Sequence, residues 1–278
     1  FNRYLLIGGV HLMNKKITLL FLLFFLFIPI LNSCTHTKPV NKILPRESFL
    51  HLRKTLTVYS CNGDTCSSAN YNSAASAFVI KVVDQGSYAI TAAHVCEDDT
   101  SFLPKEAKLS SSYTVRRLDG KNYKAVSLDY KKDIDVCLLF VNDLVEGIVP
   151  VRIVMFKPEP GDRVYNIAAP RSIYRPNMVP IIEGRYNGDA DGVAWYSLLA
   201  APGSSGSMIV NKSGELIGMV HSVYIYFPVI TLSTTYENLK DFIFTRLHKF
   251  EIYRKNMHIL GLKDIFNPVN FDSGASPD

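Results

Sequence analysis

With 278 residues, 47% apolar and 20% charged, the chain is long and apolar enough to bury a substantial core. A net charge of +5 without a long basic run implies no nucleic-acid partner. No pair of residues has C-x-x-C or H-E-x-x-H spacing, so no zinc site is predicted and no cofactor is implied.

The first residue is Phe, and the better start is Met13. Residues 1–12 then read as upstream sequence translated in frame. Met13-Asn14-Lys15-Lys16 is a charged head, followed by an apolar run from Ile17 to Leu31. A spanning helix needs about 20 residues, so this run suits a signal peptide over 13–33. It ends in Leu31-Asn32-Ser33-Cys34, which resembles the lipobox of bacterial lipoproteins, with Asn32 where a small apolar residue is usual. The resemblance implies that Cys34 is lipidated and becomes the mature N-terminus, held by two or more acyl chains. The protein would then be exported to the bacterial cell envelope and lipid-anchored, on the periplasmic side or at the cell surface. A plain cleaved signal ending near Ser33 and an uncleaved anchor are the alternatives. Residues 34–45, polar with Lys and Pro, read as a tether.

Export implies an oxidising compartment, which makes the remaining four cysteines candidates for pairing. Cys61 and Cys66 bracket an Asn-Gly turn and could bridge a hairpin, closing a short loop worth roughly 2 kcal/mol. Short apolar runs then recur between Gly, Pro, Asn and Asp clusters. They include Thr55 to Ser60, Phe78 to Val83, Ser87 to Thr91, Ala125 to Leu128, Val136 to Val141, Val164 to Ile167, Val193 to Leu199, Ser207 to Val210 and Leu216 to Ile225. This is an all-β pattern. A helix is predicted around Thr235 to Ile243, where apolar residues fall at helical spacing. Residues 251–278 read as a partly disordered extension.

Three segments carry chemistry. Gly203-Ser204-Ser205-Gly206-Ser207 places a serine in a sharp turn, where the hydroxyl of Ser205 projects outward. The amides of Gly203 and Ser205 would hold a developing oxyanion. Upstream, Thr91-Ala92-Ala93-His94-Val95 sets a histidine among small residues just past a strand, with room to take the serine's proton. Between them, Asp135 begins the apolar run Val136 to Val141, where burial of an acid requires a partner. Pairing with the second imidazole N–H meets that cost and fixes the tautomer. Asp133, two residues earlier, is the alternative acid and reads as a solvated residue.

The order His94, Asp135, Ser205 and the wording around each resemble the trypsin-like serine proteases, closest to the bacterial HtrA-like and glutamyl endopeptidase branches. Ala75 to Ile80, Gly161 to Pro170 and Gly214 to Val220 are similar to linking segments of that family. Asp135 fits the family's acid motif in register; Asp133 does not. The resemblance implies a peptidase domain over 46–250, built of two six-stranded antiparallel β-barrels with a C-terminal helix and the site in their cleft. It implies a polypeptide substrate cleaved through an acyl-enzyme, the substrate pairing with the edge of His221, Ser222 and Val223. By the same resemblance Leu199 falls at the pocket base, where an apolar residue disfavours Arg or Lys and favours small or medium apolar side chains. His221 is read three ways: it recognises acidic side chains, bonds Asp135, or is an inert core residue. Cys96 and Cys137 each lie two residues beyond a member of the dyad, so they either bridge or stand as two buried thiols. Two other functions stay open. One is a silent binding module of the same fold. The other is a serine esterase, which would place its serine ahead of the acid and histidine in chain order.

Overall fold

The computed structural model describes residues 44–62, 65–98 and 108–259. Cys34, the signal segment, all but the end of the tether and residues 260–278 lie outside the described residues, as do the side chains of Cys61 and Cys66.

Six strands form the first barrel: β1 (Phe49–Asn62), β2 (Thr65–Val83), β3 (Gly86–Thr91), β4 (Lys108–Arg117), β5 (Asn122–Lys131) and β6 (Val136–Asn142). They close antiparallel in the order β1-β2-β3-β6-β5-β4. On β1, Leu50, Leu52, Leu56 and Val58 are buried at every second position, as a half-buried strand requires. Lys54 falls on the same face and is also buried. It survives there because its ammonium contacts Asp98 at 2.7 Å and donates to the Glu97 carbonyl at 2.6 Å. The apolar residues of β6 are buried on both faces, because the C-terminal helix covers the side that the barrel does not.

Seven strands follow: β7 (Arg152–Ile153), β8 (Arg163–Ile167), β9 (Ile181–Ala190), β10 (Val193–Ser197), β11 (Met208–Asn211), β12 (Glu215–Val223) and β13 (Ile230–Thr234). Six of them run β11-β8-β9-β10-β13-β12 and close through β11–β12 into a second antiparallel barrel, to which β7 adds in parallel beside β12. Two helices accompany the barrels. The one-turn α1 (Ala93–Cys96) follows β3, and α2 (Tyr236–Ile259) ends the described chain. Leu239, Phe242 and Ile243 of α2 are buried at helical spacing. This is a chymotrypsin-like fold, the architecture that the resemblance implied. Among the described residues no helix is long and apolar enough to cross a membrane.

Three differences from the sequence reading have physical causes. The first hairpin is far longer than Thr55 to Ser60, because its outer half is built from small polar residues that periodicity does not mark. Its register places Cys61 opposite Cys66. Strands β4 and β9 are half-exposed along their length and carry too few apolar residues to stand out. Helix α2 also runs to Ile259, through the start of the segment read as an extension.

Cys96 and Cys137 are joined by a disulfide, 41 residues apart in the chain. Closing a loop of that length is worth about 4 kcal/mol in the chain-entropy account. The bridge links α1 to β6, the two elements that carry or adjoin His94 and Asp135.

Candidate active site

His94 sits in α1, directly after β3, and β3 is wholly buried. Asp135 caps a single 3-10 turn, Lys132–Ile134, in a left-handed conformation (φ 53°, ψ 46°) just before β6. Aspartate is among the few side chains that tolerate this conformation. The turn aims the carboxylate at α1. One oxygen, Oδ1, accepts the His94 backbone N–H at 2.9 Å, and Oδ2 lies 2.9 Å from Nδ1. Both contacts act together to hold the imidazole. With the proton on Nδ1, Nε2 is left as an acceptor. The imidazole side chain is 49% exposed and the carboxylate 20%, so the carboxylate is shielded while the imidazole is open to solvent.

Asp133 does not share a strand face with Asp135, because the 3-10 turn intervenes. Its carboxylate is 65% exposed and, among the described residues, contacts only Lys131, at 3.3 Å. An ion pair between Lys132 and Glu97 spans the same two segments from the outside; such exposed pairs contribute little. Tyr113 adds a buried contact, donating to the Cys96 carbonyl at 2.9 Å.

Ser205 comes from the second barrel, on the loop between β10 and β11. The loop is pinned to the first barrel at Ser76 of β2. The Ser76 N–H donates to the Ser205 carbonyl at 2.9 Å, and the Ser76 hydroxyl donates to the Gly203 carbonyl at 2.8 Å. Gly206 (φ 78°) packs so closely that a Cβ would overlap the Thr91 hydroxyl and the Ser76 carbonyl oxygen, with the Ala92 nitrogen 2.9 Å away. Thr91 and Ala92 lead directly into α1. The serine loop is therefore seated against the segment that bears His94. Asn166 of β8 supports it from below, donating to the Ser207 hydroxyl at 2.7 Å and the Met208 carbonyl at 2.9 Å.

The amides of Ser204, Gly206 and Ser207 are committed to carbonyls of Ala201, Val220 and Ser204. Among the described residues, those of Gly203 and Ser205 donate to nothing within the protein, and the Ser205 hydroxyl makes no hydrogen bond. Gly203 (φ 96°) turns where a Cβ would lie 2.6 Å from the Ala169 carbonyl oxygen. Two donors left open in the loop that carries a free hydroxyl can accept negative charge.

On the other flank, β11 pairs β12 only as far as Met219, and β13 covers one edge of its end. The second edge of His221–Val223 is unpaired among the described residues. His221 is half-buried beside the dyad and bonds the Ser222 hydroxyl at 2.9 Å, making no hydrogen bond to Asp135. Burial lowers its pKa from the ordinary range, and His94 adds to that against the pull of Asp135. Val223 is partly buried in the β13 pairing. Leu199 is 55% exposed and does not form a closed floor. Among the described residues no three His, Cys, Asp or Glu side chains gather to hold a metal.

A family model described as trypsin-like peptidase domain matches residues 75–219, more than half of the chain. The chain belongs to the trypsin-like peptidase family. A crystal structure of the serine endoprotease from Yersinia pestis is similar to it, with a TM-score of 0.52 and 17% identity over 75% of this chain. At that identity the likeness is one of fold, and the chain spans 65% of the length of that structure. An inactive serine-to-alanine form of Rv3671c from M. tuberculosis H37Rv gives a TM-score of 0.49 at 17% identity, covering 73% of this chain and 88% of that one. Comparison with curated protein sequences finds no match.

Ser76 was missed as a site residue. It reads as one small residue in a strand, and its role exists only across the two barrels. Asn166 was missed likewise, since a lone Asn in a strand carries no distinguishing mark.

The two aspartates differ in their contacts, and their variants should differ accordingly. Asp135→Asn removes the acceptor that fixes the His94 tautomer and is expected to lower peptidase turnover by about ten-thousand-fold at neutral pH. Asp133→Asn is expected to stay within about twofold of wild type. Turnover of both variants on one peptide checks this, and a severe loss in Asp133→Asn alone would refute the assignment.

Proposed function

We propose that the protein is a serine endopeptidase working through His94, Asp135 and Ser205. The reading is carried by one observation: a histidine held by an aspartate follows the segment against which the serine loop is seated, and two amides of that loop, those of Gly203 and Ser205, are left without acceptors. His94 Nε2 takes the Ser205 proton as the hydroxyl oxygen attacks the carbonyl carbon of the scissile bond. The oxyanion settles on the Gly203 and Ser205 amides. His94 then gives its proton to the leaving nitrogen as the C–N bond breaks, and water hydrolyses the acyl-enzyme by the same route in reverse. The acyl side of the substrate lies along His221–Val223 by strand addition. Its first side chain covers Leu199, which favours small or medium apolar residues.

Ser205→Ala is expected to abolish labelling by a fluorophosphonate and to lower turnover by ~10⁴-fold or more. Stability should stay within about 0.5 kcal/mol, because a half-exposed hydroxyl without hydrogen bonds supports no packing. Undiminished peptide cleavage by this variant would sink the proposal.

We further propose that the enzyme acts at the cell envelope, tethered through lipidated Cys34. Support comes from the charged head, apolar run and cysteine in the sequence. Cys34→Ser is expected to move the protein from the membrane to the soluble fraction, or to leave an uncleaved precursor. A wild-type protein that mass spectrometry finds soluble and unacylated would contradict the anchor.

A further inference from the structure

Strand β2 is longer than the barrel needs. Its inner part, Phe78–Val83, pairs with β3, and Phe78 alone of these residues also pairs with β1. Its outer part, Thr65–Ala77, pairs only with β1, in a register that runs without a break from Asn62↔Thr65 to Phe49↔Phe78. Among the described residues no strand covers the other edge. Exposed edges are ordinarily blunted by charge, proline or a bulge. Thr65–Ala77 contains no charged residue, no Pro and no Gly.

The open edge begins at the nucleophile. The Ser76 N–H donates to Ser205, and the Ser76 carbonyl accepts the Thr91 hydroxyl at 2.8 Å, so this residue turns its backbone away from β1. Backbone polar groups alternate between the two edges of a strand. With the register unbroken, Ala74, Asn72, Asn70 and Ser68 turn theirs outward as well. The side chains agree: Thr55 bonds Asn72 and Thr57 bonds Asn70, each at 2.8 Å, across pairs whose backbones are not bonded to each other and therefore stand closer. At about 3.3 Å per residue, the ten residues from Thr65 to Ala74 offer an edge of roughly 33 Å.

We propose that this edge is a docking strand for the leaving side of an extended polypeptide substrate. The proposal rests on the peptidase reading above. With the acyl side on His221–Val223, the chain passes Ser205 and continues along β2 toward the hairpin tip. Main-chain hydrogen bonds to Ala74, Asn72, Asn70 and Ser68 bind it, and the small side chains of the strand impose little sequence preference. The enzyme therefore selects substrates that are extended for several residues beyond the scissile bond.

The test uses the full chain carrying Ser205→Ala and two fluorescein-labelled peptides. Both contain Ala-Ala-Val before the scissile bond and Ala-Ala after it; the longer one continues with four Thr-Lys repeats. Fluorescence anisotropy is expected to show at least tenfold tighter binding of the longer peptide. N-methylation of its amides from the third leaving-side residue onward should remove the gain. So should Ser68→Pro with Asn70→Pro, which deletes two outward donors and spares the β1 ladder. Equal binding of the two peptides overturns the docking strand, as does a gain that survives N-methylation. A concentration-dependent dimer abolished by the proline variant also overturns it, since the edge then serves a second copy of the chain. If wild-type protein cleaves neither peptide while the longer one still binds more tightly through its amides, the peptidase reading fails and the docking strand stands.

Discussion

Ser76 uses all of its polar groups at the junction of the two barrels. Its hydroxyl accepts the Ala169 N–H at 3.1 Å and donates to the Gly203 carbonyl. Its amide donates to Ser205, and its carbonyl accepts from Thr91. The side chain is fully buried, where each unmade bond would cost about 1–3 kcal/mol. One residue of the first barrel thus fixes both the nucleophile loop of the second and the wall behind it. His94 and Ser205 belong to different barrels, and this contact sets their relative position.

Two further constraints follow from that seam. Gly206 must lack a side chain, because the Thr91 hydroxyl and the Ser76 carbonyl occupy the space a Cβ would take. Gly203 must turn through positive φ beside Ala169, which leaves its amide pointing out of the loop. Within the first barrel, the Cys96–Cys137 bridge ties α1 to the start of β6 and so braces the His94–Asp135 pair independently. The same bridge makes the dyad's rigidity depend on an oxidising environment, which the proposed export would provide.

Much of this was legible before the fold was known. His94, Asp135 and Ser205 stand in motifs whose neighbours are small or apolar for local reasons, and the structure sets the first two in contact. The distinction between Asp135 and Asp133 was also readable, since only Asp135 leads straight into a buried run. The sequence leaves the pairing of Cys96 with Cys137 open, because it depends on whether His94 and Asp135 meet, a tertiary fact. Strands β4 and β9 and the outer half of β2 were invisible because their stability comes from ladder pairing, not from apolar periodicity. The resemblance that sets Leu199 at the pocket base carries no information about its exposure. The cross-barrel role of Ser76 has no local signature at all.

The seam is tested most directly by Ser76→Ala, with the rate at which a fluorophosphonate modifies Ser205 as the measurement. Loss of the hydroxyl frees the Gly203 carbonyl and the Ala169 amide while leaving His94, Asp135 and Ser205 in place. The second-order rate of modification should fall at least tenfold, equivalent to about 1.4 kcal/mol of transition-state stabilisation. The protein should remain folded by circular dichroism. A folded variant that reacts at the wild-type rate would contradict the claim that Ser76 positions the nucleophile.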